Sequence, residues 1–88
     1  MAISLAERTA QLNAEEHLLV KADKDIEEGW KRIRDQEDRL RELMAGGHDT
    51  RQAERLVSLL RQTVVEWERH RVLIEQRVEY LRQEVAVG

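Results

Sequence analysis

Three histidines, His17, His48 and His70, and eighteen Asp and Glu side chains are the groups of this 88-residue chain best able to hold a metal or move a proton. A metal centre needs several of them to converge on one point. Glu66 and His70 stand four apart, one helical turn, and Glu27 across a helical pair would give a weak imitation of a carboxylate-bundle site. Bundle sites of that kind use Glu-x-x-His pairs from two helices plus two further glutamates, and no Glu-x-x-His occurs here. The acidic pairs Glu15-Glu16 and Glu27-Glu28 suggest acid–base work, but that chemistry needs a pocket able to shift a pKa. The segment Ala45-Gly46-Gly47-His48-Asp49 lacks the lysine and the preceding strand of a phosphate loop. No nucleophile elbow or triad spacing is present, so the expectation is a non-enzyme with no metal and no cofactor. His48 keeps one alternative to plain bend chemistry: beside Asp49, at the positive end of a following helix, it could read an acidic group on a partner.

The elements that would position these residues follow from composition. The chain has no proline and no cysteine, and its four glycines are Gly29, Gly46, Gly47 and Gly88. Absence of cysteine removes disulfides and thiolate metal sites and fits a reducing cytoplasm. Lys and Arg (15) nearly balance Asp and Glu (18), for a net charge of -3, and neither half is a basic arm. That excludes the composition of a nucleic-acid binder. No signal-peptide core or run of about 18 apolar residues occurs, so neither secretion nor a membrane span is expected. So short a chain buries a small fraction of its surface, which makes oligomerisation an expected source of stability.

One domain over residues 1–88 is predicted, with a first helix over about 5–45, a bend at 46–49 and a second helix over about 50–86. Ser4-Leu5-Ala6-Glu7 is a capping box in which the Ser4 hydroxyl accepts from the Glu7 backbone N–H while the Glu7 carboxylate reaches back. Gly46 is expected to be the left-handed residue closing the first helix, with Gly47 freeing the next turn. Asp49, or Thr50 as second choice, is expected to cap the second helix. A connection this short folds the second helix back antiparallel.

Helices of this length require a coiled-coil seam. The first carries an aliphatic residue every seven positions, Leu5, Leu12, Leu19, Ile26, Ile33 and Leu40. The second alternates steps of three and four from Ala53 through Val57, Leu60, Val64 and Trp67. After a polar exception at Arg71 it continues through Ile74, Val78, Leu81 and Val85. The companion column of the first helix is poor in apolar residues: Arg8, Glu15, Ala22, Gly29, Gln36 and Leu43. With the bend at Gly47 and His48, opposing residue numbers sum to about 96, which sets Gly29 against Trp67 and gives a costly helix glycine a packing role. Burial of Trp67 there predicts a cost of about 3–5 kcal/mol for Trp67→Ala. Arg71, close to Ile26, is expected to set register or oligomeric state.

Apolar residues outside the seam, Leu18, Trp30 and Met44 in the first helix and Leu56, Leu59, Leu73 and Tyr80 in the second, would be left wet by a lone hairpin. A homodimer, in which two hairpins pair into a four-helix bundle, is the simplest cover. A different protein docking on Leu59, Leu73 and Tyr80 is the alternative. The charge-dense stretch 31–42 reads as a solvated face, with Glu27–Lys31, Glu28–Arg32, Asp35–Arg39 and Glu37–Arg41 placed as same-helix pairs. Arg51, Arg55, Arg61 and Arg69 form only a fragment of a basic stripe.

Residues 25–74 resemble a group of short, uncharacterised, rhizobial-type helical proteins of alphaproteobacteria. The resemblance rests on Glu28-Gly29, Arg32-Ile33, Gln36, the bend motif Gly47-His48-Asp49-Thr50, Leu59-Leu60 and His70-Arg71. Trp30, Trp67 and about the first 20 residues lie outside the shared pattern. It implies a bacterial source and no catalytic activity. The functional expectation is a cytoplasmic interaction or scaffold protein that self-associates through apolar helix faces; the alternative is a regulatory subunit for helices of a signalling protein such as a sensor kinase.

Overall fold

The computed structural model describes residues 4–88, so the first three positions of the expected domain lie outside the described residues. Two helices, α1 (Leu5–Ala45) and α2 (Arg51–Val87), pack antiparallel along their whole length. At ~1.5 Å per residue, α1 alone spans about 60 Å, and the molecule measures 65 × 17 × 14 Å. Its radius of gyration is 19.6 Å, against about 12 Å for a compact domain of this length.

Local chemistry sets both ends of the bend. The Glu7 backbone N–H donates to Ser4 Oγ (3.1 Å), the expected N-cap bond of α1. At the other end the assignment of the left-handed residue needs correction. Gly47, not Gly46, has positive φ (72°), while Gly46 stays right-handed at φ -83°. The His48 N–H donates to the Leu43 carbonyl (2.9 Å) and the Gly47 N–H to that of Met44 (3.2 Å), which together form a Schellman closure. At Gly46 a Cβ would stand 2.8 Å from Cδ2 of the His48 imidazole, which folds back over it and is a side chain able to move aside. The formal N-cap of α2 is Thr50, with no side-chain cap bond; Asp49 Oδ1 takes the Arg51 N–H (3.1 Å) and so supplies the acceptor from one residue earlier.

The core is a single file. Ile33, Val64 and Val78 are fully buried, with Val57, Ile74 and Leu81 nearly so. α1 contributes only Gly29 and Ile33 to the buried set, and its rungs Leu12, Leu19, Ile26 and Leu40 are half-buried, as is Leu60 of α2. The polar members of the companion column explain this thinness. Glu15 sits at a seam position with its Oε2 buried and without a hydrogen-bond partner among the described residues.

Gly29 does face Trp67. A Cβ at Gly29 would lie 2.7 Å from Val64 Cγ2 and 3.2 Å from Trp67 Cζ3, so the glycine admits an indole and a valine against the α1 backbone. Trp67 is nevertheless 39% exposed: one edge of the ring covers Gly29 and the rest lies in a groove bordered by Lys21, Asp25, Glu28 and Arg32. The expectation of a buried indole is corrected to a rim position.

Candidate interaction surface

With the aliphatic ladder of α1 and the Val57, Val64, Val78 column of α2 lettered a, and their companion columns d, the two sides of the seam become distinct. In an antiparallel pair, e positions meet e positions on one side and g meets g on the other. On the e flank, Arg61 donates to Glu37 (3.0 Å), Arg82 to Glu16 (3.3 Å), and Trp30 Nε1 to Glu68 (3.1 Å). Arg71, half-buried at an a position, turns to the same side, where it pairs with Asp23 and reaches Glu75 (2.7 Å). The bond to Asp23 is the main reason its guanidinium is held more firmly charged than usual. The polar interruption of the α2 seam is thus answered from α1.

The expected same-helix pairs are absent, and one of their members is drawn across the seam. None of Glu27–Lys31, Glu28–Arg32, Asp35–Arg39 or Glu37–Arg41 forms an ion pair among the described residues; Glu37 turns to Arg61, and Arg41 pairs with Asp38. The surplus of charge on one helix concealed its partners on the other, and only the e–e arithmetic of an antiparallel pair could have shown them. On the g flank, Arg77–Glu15 (3.2 Å) and Arg8–Glu84 (3.4 Å) cross the seam near the open end. Between Leu56 and Leu73 no ion pair crosses on that flank among the described residues.

The apolar residues outside the seam are all exposed, as a lone hairpin requires. They divide by flank, which the sequence reading did not resolve. Trp30 and Met44 lie on the e flank, joined by Val20, Val65 and Val72 at neighbouring b positions. Leu18 of α1 and Leu56, Leu59, Leu73 and Tyr80 of α2 lie on the g flank. Leu73 (61%) and Tyr80 (59%) are among the most open. The hairpin exposes 6951 Å², against about 5,400 Å² for a compact monomer of its mass. A two-helix rod therefore carries roughly 1,500 Å² of surface that a globule would have buried, and each member of a standard protein pair contributes about 800 Å².

The titratable groups are dispersed. His17 is on the outer face of α1, His48 covers Gly46, and His70 is exposed on the g flank. No group of three or more potential metal ligands converges among the described residues. The hollows are grooves open to solvent, the one at the bend lined by Asp49, Arg51, Gln52 and Arg55. There the Arg51 guanidinium grips Asp49 through Nε (3.2 Å) and a terminal nitrogen (3.0 Å), which holds the Asp49 carboxyl below its ordinary range and the guanidinium above its own. Of the four arginines of the partial basic stripe, Arg51, Arg61 and Arg69 are each paired with a carboxylate. No helix is long and apolar enough to cross a membrane among the described residues.

Fold and surface together define an all-α helical hairpin with two unlike flanks. No protein-family model, curated protein or solved structure matches the chain.

Proposed function

We propose that this protein is a non-catalytic interaction module, a hairpin that self-associates through apolar helix faces and so acts as a small scaffold. The observation that carries the reading is the exposure of Leu56, Leu59, Leu73 and Tyr80 along one side of α2, a patch that water solvates at a cost and a second hydrophobic surface removes. The surplus surface supports it, as does the thin seam of α1. The same proposal assigns the chain to a bacterial cytoplasm, supported by its lack of cysteine and by its resemblance at Gly47-His48-Asp49-Thr50.

Light scattering behind size exclusion over a tenfold dilution, with helicity followed by circular dichroism, tests it. A helical dimer is the expected result, and a helical monomer at every concentration overturns it. A second reading is favoured by Trp30, Met44, Val65 and Val72 on the e flank: that side would receive a helix of a signalling protein, such as the dimerisation helices of a sensor kinase. Addition of such a helix would then dissociate the dimer if the surfaces overlap, or bind alongside it if they do not.

A further inference from the structure

The g flank owes its apolar character to one helix. α2 supplies Leu56, Leu59, Leu73 and Tyr80, while α1 supplies Leu18 and otherwise Gln11, Asp25, Arg32 and Arg39. The α2 residues lie in the column of c and g positions, which alternates steps of three and four like the first and whose other members, Thr63, Glu66, His70 and Arg77, are polar. That stripe runs from Leu56 to Tyr80, and its midpoint falls at the height of Glu68, which itself lies on the opposite flank.

We propose that this stripe is the surface of an isologous dimer in which α2 lies antiparallel to α2 of a second copy, with the two-fold axis on the g flank at the height of Glu68. The inference rests on the self-association proposed above and specifies its geometry. A second copy is the fitting occupant because the charged members of the stripe meet complementary groups of its own copy in the antiparallel sense. Antiparallel pairing about Glu68 sets Leu56 against Tyr80, Leu73 against Thr63, and Leu59 against the aliphatic stem of Arg77. Glu66 then faces His70, an acceptor against an imidazole, and two-fold symmetry makes every contact twice. Parallel pairing would match each apolar residue with its own copy, but it would also set Glu66 against Glu66 and Arg77 against Arg77, juxtaposing like charges. Packing α2 on α1 of the second copy would set Leu59 and Leu73 against a surface of Asp25, Arg32 and Arg39. The axis also passes next to Trp67, whose open edge lies on this flank, so the dimer covers the indole that the hairpin leaves at its rim. Trp30, bonded to Glu68 on the opposite flank, stays uncovered.

Because the chain has no cysteine, introduced thiols report the geometry alone. Leu56→Cys and Tyr80→Cys variants, each shown to be helical, are oxidised mildly, separately and as a mixture. The proposal expects a covalent dimer from the mixture and none from either variant alone. A covalent dimer from Leu56→Cys alone shows parallel helices and overturns it. A light-scattering dimer whose thiols never cross-link overturns this geometry and leaves self-association standing; a monomer overturns both. Fluorescence without altered stripe residues provides the second reading: in a Trp30→Phe variant, emission from Trp67 should shift to the red on dilution. In a Trp67→Phe variant, emission from Trp30 should not move, and a shift of Trp30 instead would place the contact on the e flank and overturn the proposal.

Discussion

Gly29→Ala is the substitution whose sign is most informative. In an exposed helix interior, replacing glycine by alanine stabilises by about 1 kcal/mol. Here the new Cβ would lie 2.7 Å from Val64 Cγ2, where ordinary carbon contacts are about 3.5–4.0 Å. Val64 is 1% exposed, and its branched side chain has one strongly preferred rotamer in a helix, so it cannot swing aside and the helices must separate locally. Overpacking of this kind costs about 1–3 kcal/mol, which leaves a net loss of about 1 kcal/mol and a fall in Tm of about 4–8 °C. The control is a double-mutant cycle with Val64→Ala. With Cγ2 gone, the remaining neighbour is Trp67 Cζ3 at 3.2 Å, part of a rim indole with solvent to move into. Gly29→Ala should therefore become stabilising by up to about 1 kcal/mol in that background, a coupling of about 2 kcal/mol within the range for touching residues. Urea unfolding followed by helicity at fixed protein concentration measures all four corners. Stabilisation of the otherwise unaltered chain by about 1 kcal/mol would show that Gly29 faces water and would refute the register.

The two bend glycines should behave oppositely in thermal melts: Gly47→Ala, at φ 72°, costs about 1–2 kcal/mol, whereas Gly46→Ala is near neutral because only the movable His48 ring opposes it. Glu15→Leu should stabilise by about 1 kcal/mol in denaturant unfolding, since it removes a buried oxygen without a partner and frees an Arg77 that is already mostly solvated. Trp67→Ala should cost about 2 kcal/mol rather than 3–5, because the indole is 39% exposed. Asp49 has a lowered pKa in the fold, owing first to the Arg51 side chain, so its ionised form contributes stability above the ordinary carboxylate value of about 4, and that contribution is lost as pH falls through the lowered value. The Tm difference between the unaltered chain and Asp49→Asn should thus be constant from about pH 7 to 5 and vanish in stronger acid.

Helix positions, the hairpin and the Gly29–Trp67 contact were legible because each depends on spacing alone: heptads declare a seam, and a short glycine bend declares the fold-back. The depth of burial was not legible. Leu12, Leu19 and Ile26 follow the ladder yet stay half-buried, since burial depends on what the opposite helix offers and on how wide a two-helix groove can be. The identity of the left-handed glycine turned on where the last α1 hydrogen bond fell, one residue beyond the periodic signal. Ion pairs were misassigned because same-helix partners can be read from one segment, whereas Glu37–Arg61 and Asp23–Arg71 need the rotational phase of both. That phase also separates the e flank from the g flank, and without it the loose apolar residues merge into a single surplus.

The aliphatic ladder of α1 cannot by itself choose its register. Shifted by one heptad, Leu12 would take the place of Leu19 and Ile26 that of Ile33, with little change in apolar contact. Exposed ion pairs add at most about 1 kcal/mol each, so Arg61–Glu37 and Arg82–Glu16 resist such a slip only weakly. Gly29 resists it strongly. A slip in either direction sets Trp67 and Val64 against Ala22 or Gln36, each with a Cβ where the present contacts leave 2.7–3.2 Å. The Schellman closure at Gly47 supports the same choice from the other end, because a slip would lengthen one arm of a bend whose hydrogen bonds already use Leu43 and Met44. One glycine that lowers helix propensity by about 1 kcal/mol thus supplies what six aliphatic rungs do not, a single pairing of α1 with α2. By fixing that pairing it also fixes which α2 residues remain on the g flank for another molecule to meet.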